Sequence, residues 1–158
     1  MAIASYTLEN FVEDLRLITA NTQDEQSIIE QVAPLAQRLA LAKDEWLEAQ
    51  HYTCDEEQGF QVHLLHEEAD HTLAVFAISW LPHRGAPPHN HGTWAVVAGV
   101  DGAEKNIFWK RLDDSSRPGY AEIQWNGEKV FCHGDTVCFV SNEIHSVVND
   151  SEAVTVSL

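Results

Sequence analysis

His89 and His91 stand one residue apart, and His145 lies downstream with Asn149 four residues beyond it. On a strand, side chains alternate between faces, so an H-x-H pair points both imidazoles the same way, within reach of one ion. Imidazole suits several divalent metals. The context fits a binding site: Gly85-Ala-Pro-Pro-His-Asn-His-Gly-Thr-Trp94 leads into a strand and a Gly102-Ala-Glu104 turn, and Gly134-Asp135 opens a later strand pair. Five other histidines need no function. His51, His66, His71 and His133 lie beside predicted turns or strand ends, and His83 sits in the turn Leu81-Pro-His-Arg-Gly85.

A chain of 158 residues has the length of one domain, 1–158, and can bury a core without disulfides. Nine Lys and Arg against 25 Asp and Glu give a net charge of -16, which repels phosphate backbones and anionic lipid. Neither nucleic acid nor membrane is expected as a partner. The acidic run before residue 70 reads as a solvated helical face. Three cysteines without a CxxC pair point to a reducing compartment. The N-terminus has no basic region of the signal-peptide kind, and the longest apolar stretch, Leu73 to Leu81, is too short to span a bilayer. A cytoplasmic protein is the expectation.

The elements that must position the histidines follow from periodicity. Residues 1–50 form a helical part: Leu8, Phe11, Val12, Leu15 and Ile18 recur near the helical period after a Thr7 cap. Thr22-Gln-Asp-Glu25 reads as a capping box for a second helix with Ile28, Ile29 and Val32 on one side. Pro34 is expected to start a third helix ending at Leu41, and a fourth segment spans Asp44 to Ala49. Over 60–158 the period changes to two. Expected strands are Gln61 to His66, Thr72 to Trp80, Trp94 to Val100, Lys105 to Leu112, Tyr120 to Trp125, Lys129 to Cys132, Thr136 to Val140, Ile144 to Val148 and Ala153 to Leu158. Many short strands at this spacing predict a mainly β chain folded as a double-sheet jelly roll.

The two histidine blocks resemble the two cupin motifs, G-x5-H-x-H-x3,4-E-x6-G and G-x5-P-x-G-x2-H-x3-N. Gly134, His145 and Asn149 keep the second motif's spacing, with Val140 and Asn142 in place of its Pro and second Gly. His83 replaces the first motif's opening Gly. Where that motif carries its glutamate ligand, this chain has Ala95 or Val96. The resemblance implies a cupin double-stranded β-helix with an N-terminal helical cap, and a neutral three-histidine metal site with open positions.

The stretch Ala77-Ile-Ser-Trp-Leu-Pro-His-Arg-Gly-Ala-Pro-Pro-His-Asn-His-Gly-Thr-Trp-Ala-Val-Val-Ala-Gly-Val-Asp-Gly-Ala-Glu104 is similar to the central block of the thiol dioxygenases, P-x-H-D-H-x-x-W-G-x-x-G-x-x-x-G-x-E. These are cysteine dioxygenase and the bacterial 3-mercaptopropionate dioxygenase-like proteins. Ile144 to Ser157 is similar as well, so the resemblance covers roughly residues 60–158. It implies that His89, His91 and His145 hold iron(II), with Zn, Ni or Mn as other occupants. It also implies that a small thiol and dioxygen meet at that iron, both oxygen atoms passing to sulfur to give a sulfinic acid.

Departures shape the expected substrate. Where cysteine dioxygenase has a carboxylate-binding arginine, counting back from His89 gives His63, which lacks the bidentate fork of a guanidinium. A thiol without a strict amino-acid requirement is therefore expected, with His63 and the turn residue Arg84 as candidate substrate-binding groups. Val96 falls where some relatives carry a crosslinked cysteine, so no crosslink is expected. Ser157 matches the serine of the family's Ser-His-Tyr relay. Val154, Val156 and Leu158 alternate with Thr155 and Ser157 up to the last residue, so the natural chain is expected to continue with the relay's His and Tyr. The competing readings are a different metal-dependent cupin enzyme and a non-catalytic cupin that binds a small acid or thiol.

Overall fold

The computed structural model describes residues 6–158. Two helices come first, α1 (Leu8–Asn21) and α2 (Glu25–Leu41), then two short 3-10 turns at Lys43–Glu45 and Ala49–Tyr52. Thr7 caps α1 as its spacing predicts, its hydroxyl accepting from the Asn10 N–H. For α2 the cap is Asp24, whose carboxylate accepts from the Ser27 N–H, and Thr22 instead closes α1. Pro34 does not begin a third helix; it lies inside α2. An interior proline costs about 3 kcal/mol. The apolar face of α2 offsets this, because Val32, Ala36, Leu39 and Ala40 are all buried in the core.

Nine strands follow: β1 (Phe60–Glu67), β2 (Ala74–Trp80), β3 (Gly85–His89), β4 (Ala95–Asp101), β5 (Ala103–Arg111), β6 (Ile123–Cys132), β7 (Thr136–Phe139), β8 (Ile144–Val148) and β9 (Thr155–Ser157). They form two sheets, ordered β1-β2-β9-β4-β7 and β3-β8-β5-β6, with antiparallel pairing between these strands. This mainly β arrangement is consistent with a jelly roll. Two expected strands merge into β6, because the Asn126-Gly127 pair that resembles a turn is absorbed by a register shift opposite Ile107 and Trp109, with Gly127 at φ 107°. Strand β3, which holds Pro87 and Pro88, is not among the expected strands. It is a sheet edge paired only with β8, where proline's missing N–H is tolerated.

Directly opposed residues in antiparallel strands share a face, so register assigns each side of the five-stranded sheet. Val75, Ala77, Ala98, Val100 and Val156 face outward and form one core with Phe11, Leu15, Val32 and Leu39 of the helices. The pairs Ile78↔Ser157 and Trp80↔Thr155 face the other sheet, as do Ala95↔Phe139 and Val97↔Val137. A second cluster of Phe131, Val137 and Phe139 fills part of that interior. Among the described residues no helix is long and apolar enough to cross a membrane.

Candidate metal centre

The three histidines come together at one place. Strand β3 ends at His89, which lies directly opposite His145 on β8. His91 is not on a strand. It lies two residues past the end of β3, just before Gly92 at φ +65°, and its ring still meets the other two. Ring centroids are 4.5 Å apart for His89 and His145, 5.0 Å for His91 and His145, and 5.2 Å for His89 and His91. One nitrogen from each ring lies within 4.8 Å of the other two. Of the three, His145 is buried, His89 half-buried and His91 exposed.

Hydrogen bonds prepare these rings for a cation. His145 Nδ1 lies 2.8 Å from the amide oxygen of buried Asn106 on β5, and His89 Nδ1 lies 2.7 Å from the Pro87 carbonyl. Both partners can only accept, so each Nδ1 carries the proton and each Nε2 keeps a lone pair. His145 Nε2 and His91 Nε2 face each other at 3.3 Å. A proton or a metal ion can bridge that contact, and with imidazole bonds of roughly 2.0–2.1 Å the spacing suits a shared ion. The donor set therefore fits a divalent metal.

Electrostatics point the same way. Burial, then the neighbouring His89 and His91, pushes the His145 pKa down to about 3. Desolvation and His89 also lower that of His91. Although its residue surface is largely open, the His91 ring lies against Phe139 at 5.5 Å and against the other imidazoles, which disfavours its charged form. Phe139 also stacks on His145 at 4.0 Å. At neutral pH these two imidazoles are uncharged donors.

Ser157 lies on β9, buried and facing the interior. Its hydroxyl and that of Thr155 bond to Glu104, a buried carboxyl on β5. Ser157 and His91 both line a cavity of about 440 Å³, walled also by Phe76, Ile78 and Val97. His63 does not join this group. It pairs with Ala77, and that register turns it to the outer, helix-covered face, where Nε2 lies 3.1 Å from the Thr53 carbonyl and 3.3 Å from Ser79 Oγ. Arg84 donates to the Glu57 carbonyl at 2.7 Å. Asn106, Phe139 and Glu104 went unnoticed as site residues in the sequence. Glu104 had a visible signal, as an acid beside a strand start in the first histidine block.

No family model matches the chain. Solved structures do. Oxalate oxidase in complex with the substrate analogue glycolate superposes with TM-score 0.50 at 14% identity, over 70% of this chain and 56% of that one. A cupin superfamily protein from Desulfitobacterium hafniense gives TM-score 0.47 at 11% identity, over 78% of this chain and 84% of that one. The Cupin_2 domain of an XRE family transcriptional regulator from Enterobacter cloacae gives 0.43 at 17%, over 63% and 92%. The structural neighbours are cupin-superfamily proteins. This chain spans little more than half of the oxalate oxidase chain, and at such identities the likeness speaks for the fold. Among the described residues, the three histidines form a candidate metal site.

Proposed function

We propose that this chain is a cupin jelly roll with a helical cap that works as an iron-dependent thiol dioxygenase, converting a small thiol and O2 into the sulfinic acid. The observation that carries the reading is the donor set: three imidazoles converge with no carboxylate among them. A neutral three-histidine face leaves the remaining metal positions to reactants. Iron(II) held there would supply a common coordination sphere for thiol and dioxygen and make the thiol more acidic. The protein's own residues do the rest. Asn106 and the Pro87 carbonyl hold two rings in one tautomer, Phe139 excludes water from the His145 side, and the Ser157 hydroxyl faces the reacting volume beside His91. The resemblance of residues 60–158 to thiol dioxygenases supports the same assignment. Thiol and O2 are the partners proposed, in the cytoplasm, with neither nucleic acid nor membrane involved.

The test is oxygen uptake by anaerobically iron-loaded protein offered a panel of thiols, with mass spectrometry of the product. Sulfinate carrying both oxygen atoms is the expected result. Turnover of a different substrate class with Zn, Ni or Mn would replace the reading with another cupin enzyme, and tight thiol binding without turnover would make the chain a binding module. Iron near one per chain in protein purified without added metal is also expected.

A further inference from the structure

Among the described residues Glu104 is the one buried acid, 7% exposed on β5. Strand alternation puts it on the same face as Asn106, which reaches His145. There the Thr155 and Ser157 hydroxyls donate to its carboxylate, the former at 3.2 Å. Among the described residues no cation pairs with it. Phe131 stands directly opposite on β6, and the Lys129 ammonium lies over the Phe131 ring, 4.9 Å from its centre. On β4, Asp101 is held by Lys43 and Tyr52. His133 Nδ1 lies 2.6 Å from the Val100 carbonyl, and Asn149, which follows β8, bonds to the Trp80 and Ala153 carbonyls.

A buried carboxylate held only by two hydroxyls is costly to ionise, and burial pushes the Glu104 pKa up to about 7. A glutamine would accept both hydroxyls without that cost, so an ionisable group here points to a function. Ser157 supplies the connection: its hydroxyl donates to Glu104, keeps its own lone pairs, and lines the cavity of about 440 Å³ together with His91. A thiol that binds a metal as thiolate must shed a proton. The imidazoles are poor acceptors, because Nδ1 of His89 and of His145 already carries a proton and the free Nε2 lone pairs face the metal position. His71 also lines the cavity, but its side chain is 76% exposed and pairs with Glu67 at 2.9 Å.

We propose that Glu104 takes up, through Ser157, the proton that the thiol loses on binding. The S–H bond breaks as the sulfur binds as thiolate, the proton passes to Ser157 Oγ, and the Ser157 hydroxyl proton passes to the Glu104 carboxylate, which becomes a neutral acid. A thiol filling the cavity displaces water, which favours the neutral carboxyl, so Glu104 retains the proton. This rests on the thiol dioxygenase reading.

The test uses cobalt(II)-loaded protein, whose thiolate-to-metal absorption reports binding without turnover, in weak buffer with an indicator dye that counts released protons. Probes are propane-1-thiol and 3-mercaptopropionate, neither of which has a second group titrating between about pH 6 and about pH 8. At about pH 6 Glu104 is already neutral, so each thiol bound should release about one proton. At about pH 8 the parent should release less than about half a proton, and Glu104→Gln about one. Thiol affinity should accordingly rise about tenfold from about pH 7 to about pH 8 in the variant and roughly twofold in the parent. A structural role for Glu104 would move neither count. If the variant does not fold, the fall in the parent's count between the two pH values decides alone. His71→Asn, which suits the φ of 59° there, should behave as the parent. A full proton released by the parent at about pH 8, or by the His71 variant alone, overturns the inference; sulfinate formed in the same protein leaves the dioxygenase reading standing. A retained proton without sulfinate formation sustains the Glu104 role and defeats that reading. Absence of thiol binding in the parent defeats both.

Discussion

Asn106 on β5 holds His145 on β8 through a 2.8 Å hydrogen bond, and both side chains are buried. The amide oxygen accepts the Nδ1 proton and so keeps the Nε2 lone pair turned toward His91. Asn106→Ala should weaken metal binding roughly 10- to 100-fold, as loss of such outer partners does elsewhere. Competitive metal titration against a chelator measures this. Unchanged affinity would show that packing against Phe139 alone orients the ring.

The three imidazoles should act as one site. Replacing His89, His91 or His145 singly by Ala should sharply reduce metal content after loading and dialysis. A metal that binds only the folded chain raises stability by about 2.7 kcal/mol at a hundredfold excess over Kd, so added iron(II), cobalt(II) or zinc should raise the Tm of the parent and not of the variants. Full metal retention by His145→Ala would defeat the assignment.

Glu104 should give the protein a distinct pH dependence. Burial pushes its pKa up to about 7, opposed by the Thr155 and Ser157 hydroxyls, while Phe131 lies directly opposite on β6. An acid whose pKa is higher in the folded state holds its proton there after the unfolded chain has released it. Its effect on stability therefore worsens as pH rises from about 4.5 to about 7. The loss approaches about 3 kcal/mol at the top of that window, at 1.36 kcal/mol per pKa unit. Glu104→Gln keeps the shape and cannot ionise. Denaturant unfolding should show the variant gaining on the parent across that window; parallel curves would mean that Glu104 is not buried as described.

The metal site was legible in the sequence because its ligands are close in number and distinctive in type. The reason for it was only partly right: His89 ends β3, and His91 lies just beyond the strand. Asn106 was invisible because it lies 39 residues from His145 and approaches only through the pairing of β5 with β8. His63 illustrates the same limit. Counting back from His89 found the sequence position, but register puts Val62 and Leu64 on the inner face and His63 on the outer one. Most strands announced themselves by alternation. β3 was hidden by its prolines and the unity of β6 by Asn126-Gly127, both local turn signals overridden by pairing with a neighbour. Pro34 was misplaced for the matching reason in a helix, where packing against the sheet outweighs the local penalty.

Phe139 joins the fold's stability to the metal site. It is 2% exposed, packs with Phe131 and Val137, and stacks on His145 at 4.0 Å. Truncation would remove both a core side chain and the apolar cover that keeps His145 uncharged. Phe139→Ala should destabilise the protein by about 3–5 kcal/mol, the usual range for a buried aromatic. Phe139→Leu replaces most of the volume and should cost less in stability, yet it loses the flat ring. Water would then reach His145, its pKa should rise toward the ordinary value, and protons should compete better for Nε2. The Leu variant is thus expected to fold nearly as well as the parent while losing metal at a higher pH during acid titration. Urea unfolding together with pH-dependent metal release separates the two effects. A Leu variant that releases metal at the parent's pH would reduce Phe139 to a packing residue.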